Sequence, residues 1–165
     1  MNNIINLKEL YSYQKELDLE IANIHNVTYE TTKDKRILSL FVEIGELANE
    51  TRCFKYWSNK APSPKERIFD EYADGLHFFL SLGIPLNVSK FEYELFENNE
   101  ELTIQFLNLY KLISNLKDNY NEINYIAAFS YFLNLAYSLG MEREDIIASY
   151  LKKLDVNHKR QENNY

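Results

Sequence analysis

The chain has 165 residues, 45% of them hydrophobic and 26% charged, with 13 Tyr and 10 Phe: enough apolar mass for one well-buried core and too little length for two ordinary domains. A formal net charge of -7 argues against a general nucleic-acid binder, because phosphate backbones are held chiefly by clustered Lys and Arg. Cys53 is alone, so no internal disulfide forms; residues 1–10 carry neither a basic nor an apolar leader pattern, and no apolar run approaches the about 20 residues of a membrane span, so a cytoplasmic chain outside the membrane is expected.

With only four Gly and three Pro, and apolar residues at helical spacing nearly throughout, the expected fold is all-α, one helical bundle over residues 1–165. A first helix, about residues 5–25, carries Leu7, Leu10, Gln14, Leu17, Ile21 and Ile24 at alternating steps of three and four, so Gln14 lies inside an apolar stripe. A second, about 33–54, places Leu40, Phe41, Ile44, Leu47 and Ala48 on one face. At roughly 100° per residue, Glu43, Glu46 and Glu50 fall along one flank of that stripe.

Ser63, Pro64 and Glu66 match a capping box that opens a third helix ending at Gly83. Its apolar face is Ile68, Phe78 and Leu82, onto which the same rotation places Glu71, Asp74 and Gly75. Gly83 and Gly140 each follow a Ser-Leu pair and precede an apolar residue, as left-handed helix terminators do. Ser89 with Glu92 resembles another capping box, opening a helical stretch that runs, with a break at Asn98 and Asn99, to about residue 118. Further helices are expected over 120–139 and 143–162; the last aligns Tyr150, Lys153, Asn157 and Arg160 on one side.

Burying Glu71 and Asp74 without partners would cost several kcal/mol or force protonation, so a cation must compensate them. Apart from Lys65 near the helix start, neither acidic motif has a basic residue at i+3 or i+4 on the same face, which favours a divalent metal over Lys or Arg. Magnesium takes oxygen ligands from a few carboxylates together with substrate phosphates, so Glu43, Glu46, Glu71 and Asp74 point to a nucleotide enzyme. His77, three residues past Asp74, suits a hydrogen bond at such a site better than a magnesium ligand. Taken singly, each of these features has a plainer reading: solvated glutamates, a Gln that only fixes helix register, a core Trp57.

Taken together they resemble a known family, the dimeric all-α dUTPases, relatives of the MazG-type nucleoside triphosphate pyrophosphatases. The E-x-x-E and E-x-x-D pair at Glu43, Glu46, Glu71 and Asp74 is shared across that superfamily. Residues 13–18 around Gln14 and Asp18 resemble the family's uracil-reading segment, residues 54–58 with Lys55 and Trp57 its nucleotide-covering loop, and residues 74–78 with His77 and Phe78 its deoxyribose-facing turn. Residues 150–161 resemble its C-terminal K-x-x-x-N-x-x-R phosphate motif, with Lys153, Asn157 and Arg160 in the three places. Where the family commonly continues R-Q-x-x-G-Y, this chain has Glu162, Asn163, Asn164 and Tyr165 after Gln161; Asn also adopts the left-handed turn.

The resemblance implies hydrolysis of dUTP, and also of dUDP, to dUMP at two or more Mg²⁺ ions for which Mn²⁺ can substitute. It implies that Glu43, Glu46, Glu71 and Asp74 hold the metal, with Glu43 and Glu46 catalytic and Glu46 the preferred base. Gln14, Asp18, Trp57, His77 and Phe78 would face uracil and deoxyribose, and Lys55, Lys153, Asn157 and Arg160 the phosphates. It further implies a homodimer, with 87–140 as lid, dimer surface or both. In phage relatives it also implies a repressor protein as partner; no nucleic-acid or membrane partner is expected. A MazG-like or dCTP-directed pyrophosphatase and a non-enzymatic helical interaction protein are the rival expectations.

Overall fold

In the computed structural model, which describes residues 3–165, six helices form the described chain: α1 (Lys8–His25), α2 (Tyr29–Thr51), α3 (Lys65–Gly83), α4 (Leu102–Asp118), α5 (Glu122–Ser138) and α6 (Arg143–Glu162). The fold is all-α, as the apolar spacing requires. Met1 and Asn2, part of the leader reading, lie outside the described residues. α3 is the central element, packed against α2, α6, α1 and α5, and ten of its residues, among them Tyr72, Leu76, Phe79 and Leu80, are buried. Phe79, Phe129 and Phe132 stack with Tyr72 in the middle of the core, where each aromatic pair adds about 0.5–1.5 kcal/mol beyond its buried area.

Two short strands were not expected. β1 (Ile4–Asn6) pairs antiparallel with β2 (Glu92–Glu94), Ile5 opposite Tyr93. Only the middle residue of each is buried, and one apolar position per strand is too short a signal for period-2 reading. The first helix therefore begins at Lys8, not residue 5, and the Ser89 and Glu92 capping box does not form: Ser89 donates from both N and Oγ to Glu122, while Glu92 sits in β2. The helix expected from there opens only at Leu102.

α2 starts at Tyr29, earlier than expected, because Thr28 and Thr31 form a capping box: Thr31 N donates to Thr28 Oγ1 (3.1 Å) and Thr28 N to Thr31 Oγ1 (2.9 Å). It ends at Thr51, where Arg52 turns left-handed at φ 59°. Ser63 is not the cap of α3. Its hydroxyl donates to Glu50, a charged acceptor that also takes Arg67, and Pro64 occupies the cap position. Gly140 is left-handed (φ 77°) as expected; Gly83 is not, and a Cβ there would run into the Tyr125 ring and hydroxyl, so its role is close approach.

Candidate active site

α1 and α3 bring Gln14 and His77 together although 63 residues separate them. Gln14, buried in the apolar stripe, donates from Nε2 to Asp18 Oδ1 (2.8 Å) and accepts at Oε1 from His77 Nδ1 (2.6 Å) and Tyr150 Oη (3.0 Å). Asp18 Oδ2 accepts from Ser81 Oγ (2.8 Å) and Tyr29 Oη (3.0 Å). Burial pushes the Asp18 carboxyl up, and these three donors, with Arg36 nearby, pull it back down. Arg36 is itself held by the carbonyls of Tyr29 (2.8 Å) and Ser81 (3.0 Å). Burial lowers His77 to about 3, so the ring is neutral; it stacks on Tyr150 at 4.2 Å between centroids.

Gln14, Asp18, Tyr29, Arg36, His77 and Ser81 line one cavity of about 610 Å³, behind which Tyr150 lies; the cavity also takes in Phe78, Asn157, Arg160 and Tyr165 and reaches Glu43 and Asp74. Such a volume is of the size that small-molecule sites use, with a mostly apolar wall and few polar groups. Arg160 donates to Asn157 Oδ1 (3.4 Å) and lies 5.0 Å from the Tyr165 ring, leaving Asn157 Nδ2 to donate elsewhere. Lys55 and Trp57 do not line the cavity: they stand on the loop between α2 and α3, Lys55 over the Phe54 ring and Trp57, 64% exposed, against Phe54 and Tyr56.

Three of the four expected acids converge. Carboxylate oxygens of Glu43, Glu46 and Glu71 lie within 4.8 Å of one another. Burial, then the charges of Asp74, Glu46 and Glu71, push Glu43 up to about 8, and its Oε2 is buried without a partner among the described residues. A hard divalent cation fits this oxygen-only donor set, because it would supply the charge the acids lack. Glu50, on the same flank, is spent on Arg67 (2.9 Å) and Ser63.

Asp74 has a different counter-charge. Lys153, only 5% exposed, binds Asp74 Oδ2 (3.1 Å) and Asp70 Oδ1 (2.9 Å), so a lysine from α6 compensates Asp74, half-buried rather than fully buried, which local spacing assigned to metal. The i+3 and i+4 search could not see it, since Lys153 is 79 residues away in sequence. Asp70, Ser81, Tyr29 and Arg36 were likewise missed; Asp70 alone had a signal, standing directly before Glu71.

The acids set a pH dependence. A carboxyl raised in the fold binds a proton that the unfolded chain has lost, so Glu43 makes stability fall as pH rises from 4.5 to about 8. His77, lowered from 6.5 to about 3, has the opposite sign below 6.5. In metal-free protein the fall is therefore unopposed between pH 6.5 and 8, and melting temperatures there should decline with pH. Glu43→Gln should flatten that slope; an equal decline in the variant would assign it to other groups.

Packed helices thus enclose a cavity that joins a polar recess to a carboxylate cluster able to hold a metal ion. The sequence model of the family described as dUTPase matches residues 6–165, and the chain belongs to this family, the all-α dimeric dUTPases. A dUTP diphosphatase-type hydrolase function, dUTP as substrate and a divalent-metal requirement follow from that membership. No curated protein matches the chain. No helix is long and apolar enough to cross a membrane among the described residues.

Proposed function

We propose that the chain hydrolyses dUTP, and dUDP as well, to dUMP at magnesium, releasing pyrophosphate from the triphosphate. The observation that carries this reading is the continuity of the cavity from Gln14, His77 and Phe78 to Glu43 and Asp74, with Asn157 and Arg160 on its wall. Glu43, Glu46 and Glu71 would hold the metal, Asp74 joining them where Lys153 gives way, and Mn²⁺ would serve in its place. Bound there, the metal would neutralise phosphate oxygens and acidify the attacking water.

The rest falls to the protein's own groups. Glu46, exposed beside half-buried Glu43, takes the proton of the attacking water. Asn157 Nδ2, Arg160 and, once released from its acids, Lys153 meet the charge growing on the phosphate oxygens, with Lys55 approaching from the covering loop. Phe78 packs on the deoxyribose and Trp57 shields the site from water. Gln14 and His77 read the base. With His77 Nδ1 donating to Gln14 Oε1, the Nε2 lone pair is buried without a partner among the described residues; once a covering neighbour shifts to admit the base it suits the N3–H of uracil, whereas the N3 of cytosine is an acceptor and would be repelled.

A panel of deoxynucleotides with magnesium tests this: dUTP should be turned over in strong preference to dCTP, and Gln14→Ala should lose most of that preference. Equal turnover of all bases would favour a MazG-like enzyme, and no turnover on any nucleotide a helical interaction protein.

A homodimer is part of the reading. Leu38 and Val42 on α2 and Ile104 and Leu107 on α4 are large, exposed and apolar, on either side of the stacked Phe41 and Tyr110 rings. Sedimentation should give twice the chain mass, and Leu38→Glu with Leu107→Glu should halve it; an unchanged mass would move the interface elsewhere. A phage repressor remains a partner to be tried in the same measurement.

A further inference from the structure

The polar recess at the closed side of the cavity has a direction built into it. Ionised, Asp18 carries only acceptors, and three donors converge on it: Gln14 Nε2, Ser81 Oγ and Tyr29 Oη. An amide can present either its oxygen or its NH₂ to a neighbour, and the network alone decides which. Because Asp18 must receive the NH₂, Gln14 Oε1 is turned toward His77, and the imidazole nitrogen that meets it at 2.6 Å must be the one carrying hydrogen.

Tyr150 does not impose this orientation. Its hydroxyl reaches both Gln14 Oε1 (3.0 Å) and the Leu10 carbonyl (3.3 Å), so by donating to Leu10 it could equally accept from a flipped amide. Asp18 has no such alternative. The imidazole is also fixed in place, stacked on Tyr150 and 5% exposed, so a change in hydrogen bonding has to be met by moving the proton rather than the ring.

We propose that Asp18 is a specificity-determining positioning residue: by holding the Gln14 amide in one orientation it fixes the His77 ring as the Nδ1–H tautomer, leaving Nε2 as the acceptor that selects a base carrying N3–H. The proposal rests on the reading that this cavity receives the base, and it assigns to Asp18, acting through Gln14 and His77, the choice between uracil and cytosine. Asp18→Asn, equal in shape, can offer NH₂ to a flipped Gln14 carbonyl; Gln14 then presents NH₂ to His77 Nδ1, and the ring proton moves to Nε2, now matched to the N3 lone pair of cytosine.

Two measurements test it. Nitrogen-15 spectra of the histidine rings at neutral pH should show His77 in the Nδ1–H tautomer in the parent protein and at least partly Nε2–H in Asp18→Asn. The ratio of kcat/KM for dUTP over dCTP should fall by about tenfold or more in the variant, as discrimination that depends on a paired polar group does when the pairing is lost. A parent ring carrying Nε2–H overturns the proposal, and so does an Asp18→Asn protein that keeps both tautomer and base ratio. Should Asp18→Asn not fold, the parent spectrum alone decides. If the parent turns over no nucleotide, the reading of the cavity fails while the spectra still decide whether Asp18 sets the ring proton.

Discussion

Glu46→Gln should fold like the parent protein and lose about 10²–10⁴ of its kcat on dUTP, the range that a positioned general base contributes. Glu46 is exposed, so the isosteric amide disturbs no core packing. Gln cannot take a proton, which is the role proposed for this position. Because Glu46 also belongs to the metal cluster, rates should be compared over a magnesium titration. A deficit that survives saturating magnesium identifies the base; a deficit that magnesium repairs makes Glu46 a ligand only. Near-normal pyrophosphate release from a folded Glu46→Gln protein would remove it from both roles.

Lys153→Met should destabilise the metal-free protein. Taking one partner from a fully buried ion pair costs about 3–5 kcal/mol; with the Asp70 side chain 46% and Asp74 21% exposed, water screens part of that, and about 1–3 kcal/mol is expected. The methionine keeps the stem's packing, so the loss reports charge. Adding Asp74→Asn to Lys153→Met should return much of it, because the acid that lacked a partner is then neutral. Divalent metal should narrow the gap between parent and variant in the same urea titrations. A variant as stable as the parent would mean that the two carboxylates are satisfied without Lys153. Turnover should fall too, by about 10², the loss typical when one donor to developing charge is removed.

The helices were largely legible because each carries its own periodic signal. The bounds of α6 agree with the sequence reading, since Glu142 and Asp145 form a capping box at its start and Asn163 leaves helical geometry at its end. The Thr28 and Thr31 box shows the reverse case: the signal was present, but the helix it opens starts at Tyr29, four residues before the start at 33 that the apolar stripe suggested. The strands of three residues had no periodic signal at all, and the Ser89 and Glu92 pair imitated a cap that Glu122, from a distant helix, took apart.

The site divides along the same line. Residues one helical turn apart share a face by geometry, so Glu43 with Glu46, Glu71 with Asp74, and Asn157 with Arg160 could be paired from spacing alone. What they pair with could not. The sequence by itself determined the helical class, the two acidic turns and the polar residue in the first stripe, because each is a local consequence of 3.6 residues per turn. The tertiary structure decided that Lys153 compensates Asp74, that Asp18, Tyr150 and His77 all meet Gln14, and that three acids rather than four converge. Those contacts join α1, α2, α3 and α6, and which long-range partner satisfies a charge or a buried amide depends on how whole helices pack, which no local spacing encodes.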